Sequence, residues 1–223
     1  MKSKILVSLS TFAEYGDEPL KLLEKSGLTY FVNPLGRRLT KEDIIEMGRD
    51  CEGVIAGIEP YDAYVFDNMP NLRCISRCGV GMDSIDLEKA KECGVSVLNT
   101  PDVVIQPVVE LTVAMIFDLM RKLSYHAGLM RTKTWQKKAG NLLTGKTVGV
   151  LGLGRIGKRV AEVMLSLGAK VYGTDAFPDL QWAAALGIKI VPLNDLLQVS
   201  DILTVHVSLL KDKSLHLGER ELR

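Results

Sequence analysis

Short apolar runs and amphipathic stretches alternate along this chain from its first residues. Runs at Ile5 to Leu9, Leu28 to Val32, Gly53 to Ala56, Cys74 to Ser76 and Val95 to Leu98 have the near-continuous hydrophobicity of strands buried on both faces. Between them, helical spacing is found around Glu18 to Lys25, from Thr40 with Asp43 in its first turn, and over Leu87 to Cys93, which Gly94 closes. A further apolar segment, Val65 to Met69, precedes the fourth run. Strands alternating with helices predict a parallel α/β sheet, and residues 1–99 read as one such unit.

Asn99-Thr100-Pro101 reads as the crossing to a second unit, residues 100–223, because the proline blocks continuation of the strand. One long helix is expected next, with Pro107 in its first turn, His126 on its solvent side and Val109, Val113, Ile116, Phe117 and Met120 on its apolar face. A polar loop follows through Trp135 and Asn141. Trp135 reads as a packing anchor beneath the helix, with a ligand contact as the alternative. Four more strands are expected at Thr147 to Leu151, Lys170 to Thr174, Ile188 to Val191 and Asp201 to Val207, with a short helix at Leu193 to Gln198.

In a doubly wound sheet of order 3-2-1-4-5-6 these four are strands one to four. The strand carrying Ile202, Leu203, Val205 and Val207 would then form an apolar edge, and Gly218 to Arg223 reads as the opening turn of a helix. On this pattern the doubly wound lobe is expected to be C-terminally incomplete, so that either the chain is a fragment of a longer protein or something else supplies the missing half.

The chemistry is concentrated between Thr147 and Asp175. An apolar strand runs into Gly152-Leu153-Gly154-Arg155-Ile156-Gly157, followed by an amphipathic helix (Ile156, Val160, Val163, Met164, Leu167) and a second strand ending in Asp175. Gly152 permits the tight turn, Gly154 lets the backbone approach a pyrophosphate, and Gly157 lets the helix pack on the sheet. The helix N-terminus favours an anion without any cationic side chain. Asp175 stands 23 positions after Gly152, close to the spacing at which a carboxylate reaches the adenosine ribose hydroxyls. That carboxylate would repel a 2′-phosphate, and Ala176-Phe177-Pro178 supplies no arginine to neutralise one, so the cofactor reads as NAD.

Composition narrows the field without changing it. The 223 residues are 47% hydrophobic and 25% charged, with 28 Lys plus Arg against 27 Asp plus Glu, so no overall field draws in nucleic acid or an acidic membrane. The apolar N-terminus is too short and too broken by Ser8 and Ser10 for a signal peptide, and Val103 to Met120 carries too many polar groups for a membrane span. Cys51, Cys74, Cys78 and Cys93 lack metal-site spacing and read as buried, reduced thiols of a cytoplasmic protein.

Beyond the glycine motif, Arg77-Cys78-Gly79-Val80-Gly81-Met82-Asp83-Ser84-Ile85-Asp86, Asn99-Thr100-Pro101, Glu110-Leu111-Thr112, Gly152 to Gly157 and His206-Val207-Ser208-Leu209 follow in a telling order. The combination resembles the D-2-hydroxyacid dehydrogenase family, its phosphoglycerate branch most of all, over essentially the whole chain. The resemblance implies a flavodoxin-like substrate lobe hinged to a Rossmann lobe, with a 2-hydroxy or 2-oxo acid as substrate and hydride transfer to or from NAD. It implies a carboxylate clamp at Val80 and Gly81 and NAD contacts from Val80, Arg155, Ile156, Asp175, Val207 and Ser208; Arg77, just before the clamp, reads either as an aid to an anionic substrate or as a packing or surface residue, and His206 as structural or beside the cofactor.

Two departures accompany the resemblance: the segment from Asp102 to Val109 is bulkier than the family's small polar loop, and Ser208 stands where proline is frequent. The family's catalytic Arg, Glu and His would lie beyond Arg223, so the 223-residue chain alone is expected to be inactive, and no metal is expected. His126 and His216 read as surface residues, and a homodimer through the long helix is expected by resemblance. The alternative is a non-catalytic module that senses NAD and binds partners.

Overall fold

The structure is a computed structural model that describes residues 3–207, 217–219 and 221. The chain divides into two compact units, Met1–Val104 and Ile105–Arg223, each built on a parallel sheet.

The first unit contains β1 (Lys4–Val7), α1 (Glu18–Ser26), β2 (Thr29–Val32), α2 (Lys41–Gly48), β3 (Gly53–Ala56), α3 (Ala63–Asp67), β4 (Cys74–Arg77), α4 (Leu87–Glu92) and β5 (Ser96–Asn99). The strands run in the order β2-β1-β3-β4-β5, which is the flavodoxin-like order. Sequence dictates the starts of its helices. Thr40 and Asp43 form a capping box on α2, while Asp62 and Asp86 accept the N–H groups of Val65 and Lys89 to cap α3 and α4. The segment Val65 to Met69 thus falls mostly within a helix. Leu6, Val54 and Ile75 from three adjacent strands pack with Ile44, Val65 and Phe66 in one core.

The second unit contains α5 (Ile105–Arg121), α6 (Leu123–Arg131), β6 (Thr147–Leu151), α7 (Arg155–Ser166), β7 (Lys170–Thr174), α8 (Leu180–Ala185), β8 (Lys189–Ile190), α9 (Leu193–Val199) and β9 (Ile202–Val205). Its strand order, β8-β7-β6-β9, is the 3-2-1-4 portion of a Rossmann sheet, and β6 and β7 occupy the residues expected of them. Among the described residues β9 is an edge, with Ile202 and Leu203 half-buried and Val205 exposed. The expected helical turn at Gly218 to Arg223 falls on residues of which only Gly218, Glu219 and Glu221 are described.

The long helix is shorter than expected and a second helix follows it. Lys122 adopts φ +56°, which breaks the helical path, and the Asp118 carboxylate accepts both the Ser124 N–H and the Ser124 hydroxyl at 2.6 Å, starting α6. His126 therefore lies on α6 rather than on the long helix. It is half-buried, with Nε2 3.2 Å from the Lys138 carbonyl. Trp135 is 87% exposed and anchors nothing beneath α5. The thiols also differ from expectation: all four are free, but only Cys51 is buried, Cys74 is half-buried, and Cys78 and Cys93 are exposed.

Two outcomes check this description. Ile75→Ala, at a side chain with no exposed surface in the first core, should cost ~2–5 kcal/mol in chemical denaturation. Asp43, held by the Arg37 guanidinium and the Thr40 cap, has its pKa lowered to about 2. Its stabilising effect is complete above the unfolded-state value of ~3.9 and is lost as pH falls toward 2. An NMR titration midpoint of the Asp43 carboxyl near 2 agrees with this geometry, and one near 4 contradicts it.

Candidate functional site

The second sheet changes winding direction between β6 and β9, since β7 and β8 are added on one side of β6 and β9 on the other. Ligands of open α/β sheets bind outside the carboxyl ends of the strands at such a point. The residues after β6, β7 and β9 are therefore the candidates.

Gly152 leaves β6 with φ +91°, its N–H donating to the Thr174 carbonyl at 2.8 Å. A Cβ there would stand 2.8 Å from the backbone of His206 and from the Val207 nitrogen, so both the turn and the neighbouring chain exclude a side chain. Gly157 lies one turn into α7, where a Cβ would come 1.9 Å from the Gly152 carbonyl oxygen. Gly154 is different. It caps α7, is exposed, and a Cβ on it would meet nothing within 4 Å. The protein itself has no need of glycine at 154, whereas a ligand approaching the backbone would.

Having a glycine at its N-cap, α7 receives no side-chain capping bond, and its positive dipole end is offered to an anion instead. Beside this turn the Asp175 carboxylate accepts the Leu153 N–H at 2.6 Å through Oδ2 and the Phe177 N–H at 2.8 Å through Oδ1. These two bonds fix its orientation. Arg155 and Ile156 form the first turn of α7. His206 follows β9, half-buried, with Nε2 2.8 Å from the Thr204 hydroxyl. Burial lowers its pKa below the usual imidazole value, so it is neutral at pH 7.

Within the first unit, the loop after β4 is braced from the end of β5. Gly79, with φ +139°, donates its N–H to the Thr100 hydroxyl at 2.7 Å and accepts the Thr100 N–H at 3.0 Å, and the Asn99 side-chain amide donates to the Val80 carbonyl at 2.9 Å. Arg77 folds across the same loop. A Cβ on Gly79 would stand 1.1 Å from Arg77 Nη1, which donates to the Cys78 carbonyl at 2.7 Å, while the buried Nε finds no hydrogen-bond partner among the described residues. Val80 and Gly81 are left exposed.

The structure thus gathers Gly152, Gly154, Arg155, Ile156, Gly157, Asp175, His206 and Val207 at one end of the second sheet, and Arg77, Val80 and Gly81 at one end of the first. Ser208 and His216 lie outside the described residues. Two participants escaped the sequence reading. The Leu153 N–H carries no sequence signal because it is backbone. Thr204 could have been found, since residues i and i+2 of a strand share a face and His206 is two positions on.

Residues 113–223 match the family described as D-isomer specific 2-hydroxyacid dehydrogenase, NAD binding domain. A D-3-phosphoglycerate dehydrogenase from Pongo abelii is 37% identical over 193 residues, covering 85% of this chain and 36% of that protein. The chain therefore spans about a third of the length of such relatives. Among solved structures, the TT0316 protein from Thermus thermophilus superposes with a TM-score of 0.82 at 30% identity, covering 93% of this chain and 66% of that one. The NAD+-bound 3-phosphoglycerate dehydrogenase of Entamoeba histolytica superposes with a TM-score of 0.75 at 26% identity, covering 95% and 64%.

The two helix-side glycines should separate on mutation. Gly157→Ala is expected to destabilise by ~2 kcal/mol or more, lowering the melting temperature by ~4 °C or more. Gly154→Ala should leave the melting temperature nearly unchanged. Equal losses at the two positions would contradict the geometry.

Proposed function

The chain belongs to the D-isomer-specific 2-hydroxyacid dehydrogenases, and from that premise we propose that residues 1–223 carry the substrate lobe and the adenosine-pyrophosphate half of the NAD site of such an enzyme. The observation that supports it best is the turn from Gly152 to Gly157: two of its glycines are required by the fold, and the third, Gly154, is left open to a ligand. The boundary we assign, 1–99 for the substrate lobe and 100–223 for the NAD lobe, follows the strand pattern. NAD, the cofactor of this domain family, supplies a hydride acceptor and donor.

In this reading the first-turn N–H groups of α7 and Gly154 hold the pyrophosphate, and Asp175 holds the adenosine ribose. Val80, Arg155, Ile156, Val207, Ser208 and His206 are assigned to the rest of the cofactor's surroundings. Val80 and Gly81 offer backbone N–H groups to the substrate carboxylate with Arg77 beside them. A phosphoglycerate-like 2-hydroxy acid is the substrate we assign. We assign no acid–base role to His126 or His206, so the separate 223-residue polypeptide should bind nucleotide without turning over 2-oxo acids. Four cysteines without a disulfide among them fit a reducing compartment such as the cytoplasm.

A homodimer is supported by α5, which is apolar on two sides. Val109, Thr112 and Ile116 are buried, while Leu111, Met115 and Leu119, spaced four apart, form an exposed stripe with Leu119 at 79% exposure.

Titration calorimetry tests the cofactor assignment. NADH should bind more tightly than NADPH, and Asp175→Ala should weaken NADH by ~10–100-fold, the loss expected for charge-assisted bonds to the ribose, while narrowing the preference over NADPH. Unchanged NADH affinity in Asp175→Ala or in Gly154→Ala would refute the site. Sedimentation should give twice the 24.5 kDa chain mass, and Leu119→Glu should halve it; a wild-type monomer would remove the dimer from this proposal.

A further inference from the structure

The first sheet has a winding change of its own, between β1 and β3, and the loop after β2 hangs over it. Asn33, buried, builds that loop: its amide donates to the carbonyls of Ser8 and Arg37 at 2.9 Å each, and its oxygen accepts the Leu35 N–H at 2.9 Å. The loop presents two successive arginines that are used differently. Arg37 is spent on a two-point pair with Asp43, at 2.7 and 3.1 Å. Arg38 is exposed, has no carboxylate partner among the described residues, and donates from Nη2 to the carbonyl of Ile58 just beyond the end of β3.

That carbonyl is held in place from below. The buried Glu59 carboxylate accepts the Gly57 N–H at 2.7 Å and the Ser8 hydroxyl at 3.0 Å, and Tyr61 donates to the same Ser8 oxygen at 3.0 Å. Burial raises the Tyr61 pKa, so its hydroxyl stays protonated as the donor. Glu59 is thereby turned toward its own loop, with its charge met by fixed donors. The neighbouring strand end is the Arg77 to Gly81 loop, joined to β3 by the Cys78 N–H to Ala56 carbonyl bond at 2.7 Å. Arg38 is therefore anchored at the end of the strand next to the one that carries the loop assigned to the carboxylate.

We propose that Arg38 is a specificity-determining residue, binding the second anionic group of the substrate, a phosphate ester carried on the far carbon of a short 2-hydroxy acid. A planar guanidinium with one donor committed to backbone retains others for a phosphate. The inference rests on the assignment of the first unit as the substrate lobe. It adds a subsite formed within this unit alone, by a side chain outside the five family motifs.

Amide and arginine side-chain NMR of residues 1–223, titrated with 3-phosphoglycerate, D-glycerate and inorganic phosphate, tests it. Wild type should favour 3-phosphoglycerate over D-glycerate by ~10-fold, and the phosphate ester should shift the Arg38 Nε signal. Arg38→Ala should abolish that preference while leaving D-glycerate and NADH binding unchanged, and Arg38→Lys should retain part of it. A preference that survives in Arg38→Ala, or a loss of melting temperature without a change in selectivity, would overturn the subsite and leave the lobe assignment standing. Shifts at Arg38 and Ile58 with none at Gly79 to Gly81 would support an anion site at Arg38 and overturn the lobe assignment instead. No response to either acid in wild type would overturn both.

Discussion

Helix α7 must start within touching distance of the end of β6, and the second unit is arranged to allow it. The closest point is the Gly152 carbonyl against Gly157, where a single methyl would stand 1.9 Å from the oxygen. That approach sets the dipole end of α7 beside the strand ends and brings Leu153 over β7. The Leu153 side chain packs directly over Gly173, where a Cβ would lie 2.6 Å from Leu153 Cδ1, and the Leu153 N–H orients Asp175 two residues further on. Packing and the candidate ribose carboxylate are thus tied to one turn. The core behind it joins Val109 and Ile116 of α5 with Val148, Val150, Val160, Met164 and Val171, so the helix that carries the exposed apolar stripe is also the one that backs α7.

The first unit applies the same constraint without a glycine-rich fingerprint. Its strand ends are fixed by side chains reaching sideways: Asn99 and Thr100 to the Gly79 loop, Glu59 and Tyr61 to Ser8, Asn33 to the end of β1. Buried polar groups of this kind are costly unless satisfied. Here they are satisfied within the loops themselves, and Arg38, Val80 and Gly81 are left exposed.

Much of this was legible in the sequence because the signals were local. The run 147–151 is apolar and leads straight into the glycine motif, 170–174 follows the amphipathic helix and its closing Gly168, and the spacing from Gly152 to Asp175 reflects the length of one turn, helix and strand. The capping box at Thr40 and Asp43 was equally readable. The break at Lys122 was not, because a lysine in the left-handed region has no pattern of its own, and the bonds from Ser124 to Asp118 that start the next helix look like ordinary surface polarity in a sequence. Trp135 misled because an isolated tryptophan usually packs inward, whereas here it borders an open hollow of about 240 Å³ with His126, Leu129 and Met130. Arg38 went unmarked for the complementary reason: its role depends on where Ile58 ends up, twenty residues away.

The Gly152 to Gly157 turn and Asp175 together make one candidate nucleotide cradle. A crystal structure of residues 1–223 grown with saturating NADH tests it most directly. The pyrophosphate should lie against Gly154 and the first turn of α7, with both adenosine ribose hydroxyls on the Asp175 carboxylate. Nucleotide bound anywhere else, or density that leaves Asp175 untouched, would contradict it.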